Sequence, residues 1–166
     1  TEHKKAFDFS IKALFEIPPY KISGACIGLI IHLFENPQNR KVLLKLAAST
    51  IGQADHPLNV LFWSERLRTL SMSDRDISWT EYIRENTERF EKTIVQFEAL
   101  CRSNVELANI ASDRLHLLAT HIMWMLTSTV RTIRDKATRS LYWYGRRIPE
   151  RFMDLVLFSL SINDPY

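Results

Sequence analysis

The chain has 166 residues, 46% of them hydrophobic and 25% charged, with a formal net charge of +3. That suits one domain of ordinary size with a sizeable core, and four glycines and six prolines favour helices over a sandwich of short strands. Cys26 and Cys101 stand far apart without CxxC or Cys/His spacing, so a disulfide framework is not expected and a reducing cytoplasm is the natural setting.

Apolar residues recur at helical spacing throughout, and no stretch alternates with period two. The first helix closes at Pro18-Pro19. The run ISGACIGLIIHLF (22–34) is apolar almost all round, which predicts a helix covered on both sides; it is too short to span a bilayer, which needs about 20 residues. Pro37 separates it from QNRKVLLKLAASTI (38–51), which ends in Gly52 through Pro57. In 60–70 the apolar stripe is Val60, Trp63, Leu67 and Leu70. Ser73 with Asp74 and Asp76 reads as an N-cap with acids in the first turn. The stripe of 88–101 is Phe90, Ile94, Phe97 and Cys101. After Ser112-Asp113 comes a helix with Leu115, Leu118, Ala119, Ile122 and Leu126 on one face. The next carries Ile133, Ala137, Leu141 and Tyr144 and ends at Gly145. Pro149 opens the helix within 148–161, and Asp164-Pro165 repeats that start signal.

About nine helices are expected, starting near residues 2, 21, 38, 58, 74, 88, 113, 132 and 149. Helix content of about 65–75% is expected, against roughly one-third in typical soluble domains. A pair of these helices repeats at roughly 36–40 residues, near the period of HEAT-type arrays. The predicted fold is all-α: a HEAT-like α-solenoid of antiparallel-paired helices, in which each pair buries its face on the next. Residues 1–166 then form a single helical-repeat domain. A final helix start with no helix after it, and a chain that begins at Thr1, point to a fragment of something larger.

The blocks THIMWMLTSTVRTIRDKATRSL (120–141), MSDRDISWTEYI (72–83) and INDPY (162–166) together resemble the helical-repeat region of large bacterial ATP-binding proteins of the STAND class. These are relatives of the NACHT ATPases, several of which act in antiviral defence. The resemblance covers about residues 58–166 and is weaker over 1–57; Ile77-Ser78 stands before Trp79 where the pattern has a second aromatic. It implies a nucleotide-binding domain and an effector elsewhere in the parent, with repeats that sense a trigger or hold the machine inactive.

Catalytic constellations are absent from the sequence. Without a GxxxxGK[ST] loop, neither ATP binding nor hydrolysis is expected of this piece. The glycines of GACIGLI lie inside an apolar helix and read as packing positions. His116 and His121 fall on different faces of one helix, His32 and His56 are isolated, and no metal or other cofactor is expected. Asp74 and Asp76 suit helix capping, and Ser73 has no basic partner that would make it a nucleophile.

Charge alone invites a partner. Arg131, Arg134, Lys136, Arg139, Arg146, Arg147 and Arg151 face only Asp135 and Glu150 in sequence, a local excess of +5 above the +3 of the whole chain. Asp135 and Arg139 are spaced for an i,i+4 ion pair, whereas Arg146 and Arg147 are expected to reach outward. Tyr142 and Trp143 interleave with these arginines, and Tyr142, Trp143 and Tyr144 cannot all face one core. Three readings stand: ion pairs along the helices, contact with another domain or a protein ligand, or nucleic-acid binding by stacking and phosphate contact. The sequence-level function is a non-catalytic interaction and regulatory module without membrane contact; the alternative is a nucleic-acid-binding domain using 131–151.

Overall fold

Residues 2–103 and 112–163 are described by the computed structural model, and helix accounts for 80% of the structure, with no strand among the described residues. In chain order the helices are α1 (Glu2–Glu16), α2 (Gly24–Glu35), α3 (Pro37–Ala47), α4 (Val60–Thr69), α5 (Met72–Arg75), α6 (Glu81–Glu85), α7 (Thr87–Arg102), α8 (Ser112–Trp124), α9 (Arg131–Arg147) and α10 (Pro149–Ser159). A π-helical segment, Asp76–Thr80, joins α5 to α6, and short 3₁₀ turns occupy Pro19–Lys21 and Met125–Thr127.

The helix starts are made by local chemistry. Ser23, Asn36, Asn59 and Ser71 each accept a hydrogen bond from a backbone N–H of the first turn they precede. Pro37 and Pro149 sit where a missing N–H costs nothing. Three local expectations need correction. The cap of α5 is Ser71, not Ser73, because the helix starts earlier and Ser71 Oγ accepts from Asp74 N at 3.2 Å. Gly145 does not end its helix: α9 runs on to Arg147, no described residue has positive φ, and a Cβ on Gly145 would lie 3.0 Å from the Phe152 ring. Its role is close approach between α9 and α10. Lastly, α2 is covered on one side only, burying Ile30 and Phe34 while Leu29 stays 46% exposed. The start signal at Asp164-Pro165 lies outside the described residues.

Packing follows the apolar stripes. Phe90, Ile94, Phe97 and Cys101 of α7, and Ile133, Ala137, Leu141 and Tyr144 of α9, are all buried in one core that extends from Ile11 to Leu155. Trp63 anchors the first half, stacked on Phe15 at 6.0 Å and meeting Phe34 at 5.9 Å. Trp124, 1% exposed, donates from Nε1 to Ser64 Oγ at 2.8 Å, while its carbonyl accepts from Trp79 Nε1 at 2.9 Å. Burying an indole is favourable when its N–H is satisfied, and both are.

Residue pairs between helices reveal their directions. Glu91 meets Lys136, Glu98 meets Arg139, and Cys101 meets Arg147, so α7 and α9 lie side by side and run the same way. Across the other layer, Val60 packs near Leu117 and Ser64 bonds Trp124, which sets α4 parallel to α8. Asp113 meets Arg151, and Met123 shares a groove with Val156, which sets α8 alongside α10. Buried Arg75 reaches from α5 to the Asn163 carbonyl, tying the chain after α10 back to its middle.

Candidate functional site: a cationic aromatic edge and an arginine-flanked cavity

The basic segment 131–151 divides into structural and outward-facing groups. Arg131 is exposed and pairs loosely with Asp135 at 3.5 Å. Arg134 donates to the Ser128 carbonyl at 2.6 Å, bracing the turn that opens α9. Lys136 reaches α7 and meets Glu91 at 2.9 Å, holding the Glu91 carboxyl below its usual pKa. Arg139 also faces α7, with Nε and Nη2 on Glu98 Oε2 at 2.9 and 2.8 Å, and Arg102 joins the same carboxylate at 3.3 Å. The Glu98 side chain is only 9% exposed, so this is the tightest ion cluster on the segment. Arg151 meets Asp113 at 2.8 Å.

Two expectations change here. Asp135 and Arg139 do not pair, because packing of α7 against α9 presents Arg139 with Glu98 instead. Nor does Arg147 reach outward. It is half-buried and donates to the carbonyls of Leu100, Cys101 and Ser103, the groups that the C-terminal turn of α7 leaves without intrahelical partners.

The outward-facing remainder is a stack. The Arg102 guanidinium lies 4.9 Å from the Trp143 ring centre, and Arg146 lies 5.7 Å from Trp143 and 5.9 Å from Tyr142. Arg146 Nη1 also donates to Tyr142 Oη at 3.3 Å. Of the three successive aromatics, Tyr142 is 55% exposed and Trp143 half-buried. Tyr144 is fully buried, with its hydroxyl 2.9 Å from His116 Nδ1. Beside this stack opens an apolar groove of about 460 Å³ between α9 and α10, lined by Leu141, Tyr142, Arg146, Phe152 and Val156 among others. Met153 and Leu157 of α10, with Leu160 just past its end, are exposed apolar side chains.

A second concavity, of about 560 Å³, was not apparent in the sequence. It lies between the turn after α3, the π-helical segment, α7 and α8. Trp79, Tyr82, Phe90 and His121 supply an aromatic wall, with neighbouring ring centres 5.4–6.2 Å apart. Arg89 and Arg114, both exposed, stand at its edge, and Arg89 Nη1 donates to Tyr82 Oη at 3.2 Å. Burial raises the Tyr82 hydroxyl pKa against the pull of Arg89, so the phenol stays neutral. Burial likewise depresses His121 to about 4, with Arg89 adding to the effect, so its imidazole is neutral at physiological pH. The signal for this cavity was faint: Tyr82, Phe90 and His121 lie on three different helices and Trp79 on the π turn, and only packing draws them together.

Comparison with family models, with curated proteins and with solved structures finds no match. Among the described residues no helix is long and apolar enough to cross a membrane.

Proposed function

We propose that this chain is a non-catalytic, protein-binding and regulatory module: a HEAT-like α-solenoid segment of a larger cytoplasmic STAND-type ATPase. The observation that carries the binding role is the exposed Arg102–Trp143–Arg146–Tyr142 stack beside an apolar groove. Aromatic and arginine side chains next to desolvatable apolar surface are the composition of interface hot spots. The occupant that fits is an amphipathic helix from a sister domain or protein ligand, its apolar face in the groove and its acidic flank on Arg146. Such contact would bias a distant ATPase by binding alone. The solenoid reading is supported by the α7–α8 and α9–α10 hairpins, whose like helices lie side by side, as stacked two-helix repeats do. The STAND assignment rests on the sequence resemblance over residues 58–166.

Nucleic-acid binding is the weaker reading. Glu91, Glu98 and Asp113 already neutralise Lys136, Arg139 and Arg151, so few cations of the segment are left for phosphates. The test supplies the ATP-binding part of the parent protein in trans and measures its binding to this chain by calorimetry. Tyr142→Ala and Arg146→Glu should weaken binding about tenfold or more with the helix content unchanged. Binding that is unaltered in both variants, or a short single-stranded oligonucleotide bound with a steep salt dependence instead, would reject the proposal.

A further inference from the structure

We propose that α2 is a self-association face, pairing antiparallel with α2 of a second copy of this chain about a two-fold axis at Gly28. The face shares no residue with the Tyr142 edge, so it stands or falls independently of the interaction role.

Its surface is apolar and open. No Asp, Glu, Lys or Arg stands between Lys21 and Glu35, and α2 turns only Ile30 and Phe34 fully into the core. Gly24, Ala25, Gly28 and Leu29 are exposed, and His32 is the one polar side chain on this face before Glu35. On one flank Ile27 and Ile31 are half-buried and, with Leu61 and Phe62 of α4, wall a groove of about 580 Å³. Contiguous apolar surface rimmed by charge marks an interaction face. His56 adds an independent sign, since it lines the same groove and is 2% exposed. Its Nδ1 accepts from Leu58 N at 3.0 Å, so Nε2 carries the proton of the neutral ring, and that buried donor has no acceptor among the described residues. Buried donors are nearly always satisfied, so the single chain leaves this groove unfinished.

The occupant follows from the way the face complements itself. A two-fold contact uses the same patch on both copies, so each end of α2 must suit the other. Lys21 and Glu35 each lie seven residues from Gly28, one just ahead of α2 and one at its last position. An axis at Gly28 therefore sets Lys21 of each copy against Glu35 of the other, and antiparallel pairing also opposes the helix dipoles. Among the described residues Lys21 has no carboxylate partner, and the cation beside the Glu35 carboxylate is His32, at 3.4 Å. Gly28 suits the crossing point. A Cβ there would meet nothing within 4 Å, and its φ is not positive, so neither internal packing nor backbone conformation calls for a glycine that helix interiors disfavour. Its missing side chain lets a second backbone come close, since interaxial distance is set by the side chains at the contact. In the same register exposed Gly24 lies opposite Ile31 of the second copy, a small residue against a large one.

Sedimentation velocity of the full chain from micromolar to millimolar concentration should show a monomer–dimer equilibrium. A dissociation constant of about 10–100 μM is expected, because one helix pair and its flanking groove fall below the roughly 1,200–2,000 Å² of stable interfaces. Gly28→Lys, placed in open space, should weaken association more than tenfold while far-UV spectra keep their helix signal. Lys21→Glu and Glu35→Lys should each weaken it about fivefold, because each sets like charges against one another twice per dimer. Mixed together, these two variants should form a heterodimer tighter than either homodimer, since both cross pairs are then opposite in charge. The His56 ring signals in NMR should shift with concentration in the parent chain and stay fixed in Gly28→Lys. A monomer at every concentration, which would leave the face to another segment of a longer chain, overturns the proposal. So does a dimer that folded Gly28→Lys leaves intact, or a mixture of the charge variants no tighter than its components.

Discussion

Replacing Arg147 with Met keeps the aliphatic stem and removes every donor, which isolates what its guanidinium does for the end of α7. The contact to the Leu100 carbonyl, at 3.4 Å, is long enough to discount; those to Cys101, at 3.2 Å, and Ser103 remain. A hydrogen bond from a charged group is worth about 1.5–3 kcal/mol, and a cation at a helix C-terminus adds about 0.3–1 kcal/mol. Because both bonds come from one half-exposed side chain they are not additive, and about 2–3 kcal/mol is the reasoned loss. For a chain of this length each kcal/mol moves the melting point by about 2–4 °C, so a fall of about 4–12 °C should follow. Arg146→Met is the control, since Arg146 is exposed and its partners are Tyr142 and Trp143 on its own helix. It should stay within about 0.5 kcal/mol, as surface substitutions usually do. Urea unfolding followed by far-UV circular dichroism measures both. Two variants of equal stability would refute the assignment of Arg147 as a cap of α7 and return it to the outward-facing group.

Glu98→Ala should destabilise by about 1 kcal/mol in the same assay, because it removes the shared carboxylate that ties Arg139 of α9 to α7, while both arginines are more than half exposed and stay solvated. Stability should fall as pH drops from about 6.5 to about 4. Over that range unfolded histidine takes up a proton that buried His121 refuses, and the difference amounts to about 3 kcal/mol. His56 and His116, also depressed mainly by burial, act in the same direction, so His121→Phe should flatten the slope only in part. Gly145→Ala should cost about 1 kcal/mol despite better helix propensity, since the new methyl meets the body of the Phe152 ring at 3.0 Å; a gain in stability would show that α10 yields there. Trp79→Phe should lose about 1–3 kcal/mol through the unmade bond to the Trp124 carbonyl, read by thermal unfolding.

Most helices were legible in the residues, because their causes act within one or two turns. Val60, Trp63 and Leu67 predict a face by spacing alone, and Pro37 and Pro149 mark starts by backbone chemistry alone; α4, α3 and α10 follow. The division of Tyr142, Trp143 and Tyr144 between solvent and core was likewise forced, since successive helical side chains point about 100° apart. Where local signals misled, they were outvoted by contacts distant in sequence. Asp135 stood one turn from Arg139, yet Glu98, 41 residues away, took the arginine because α7 and α9 press together at that height. Arg147 lay beside a glycine and looked free, but the end of α7 brought three carbonyls to it. The apolar surface of α2 promised cover on both sides, and only one neighbouring layer arrived. The cavity shows the same limit most clearly, for Trp79, Arg89, Arg114 and His121 carry no mutual spacing that a reading of the chain would connect. Ion pairing and concavity depend on which helix faces meet. Periodicity says that a face exists, and only the packing of the whole chain decides what it meets.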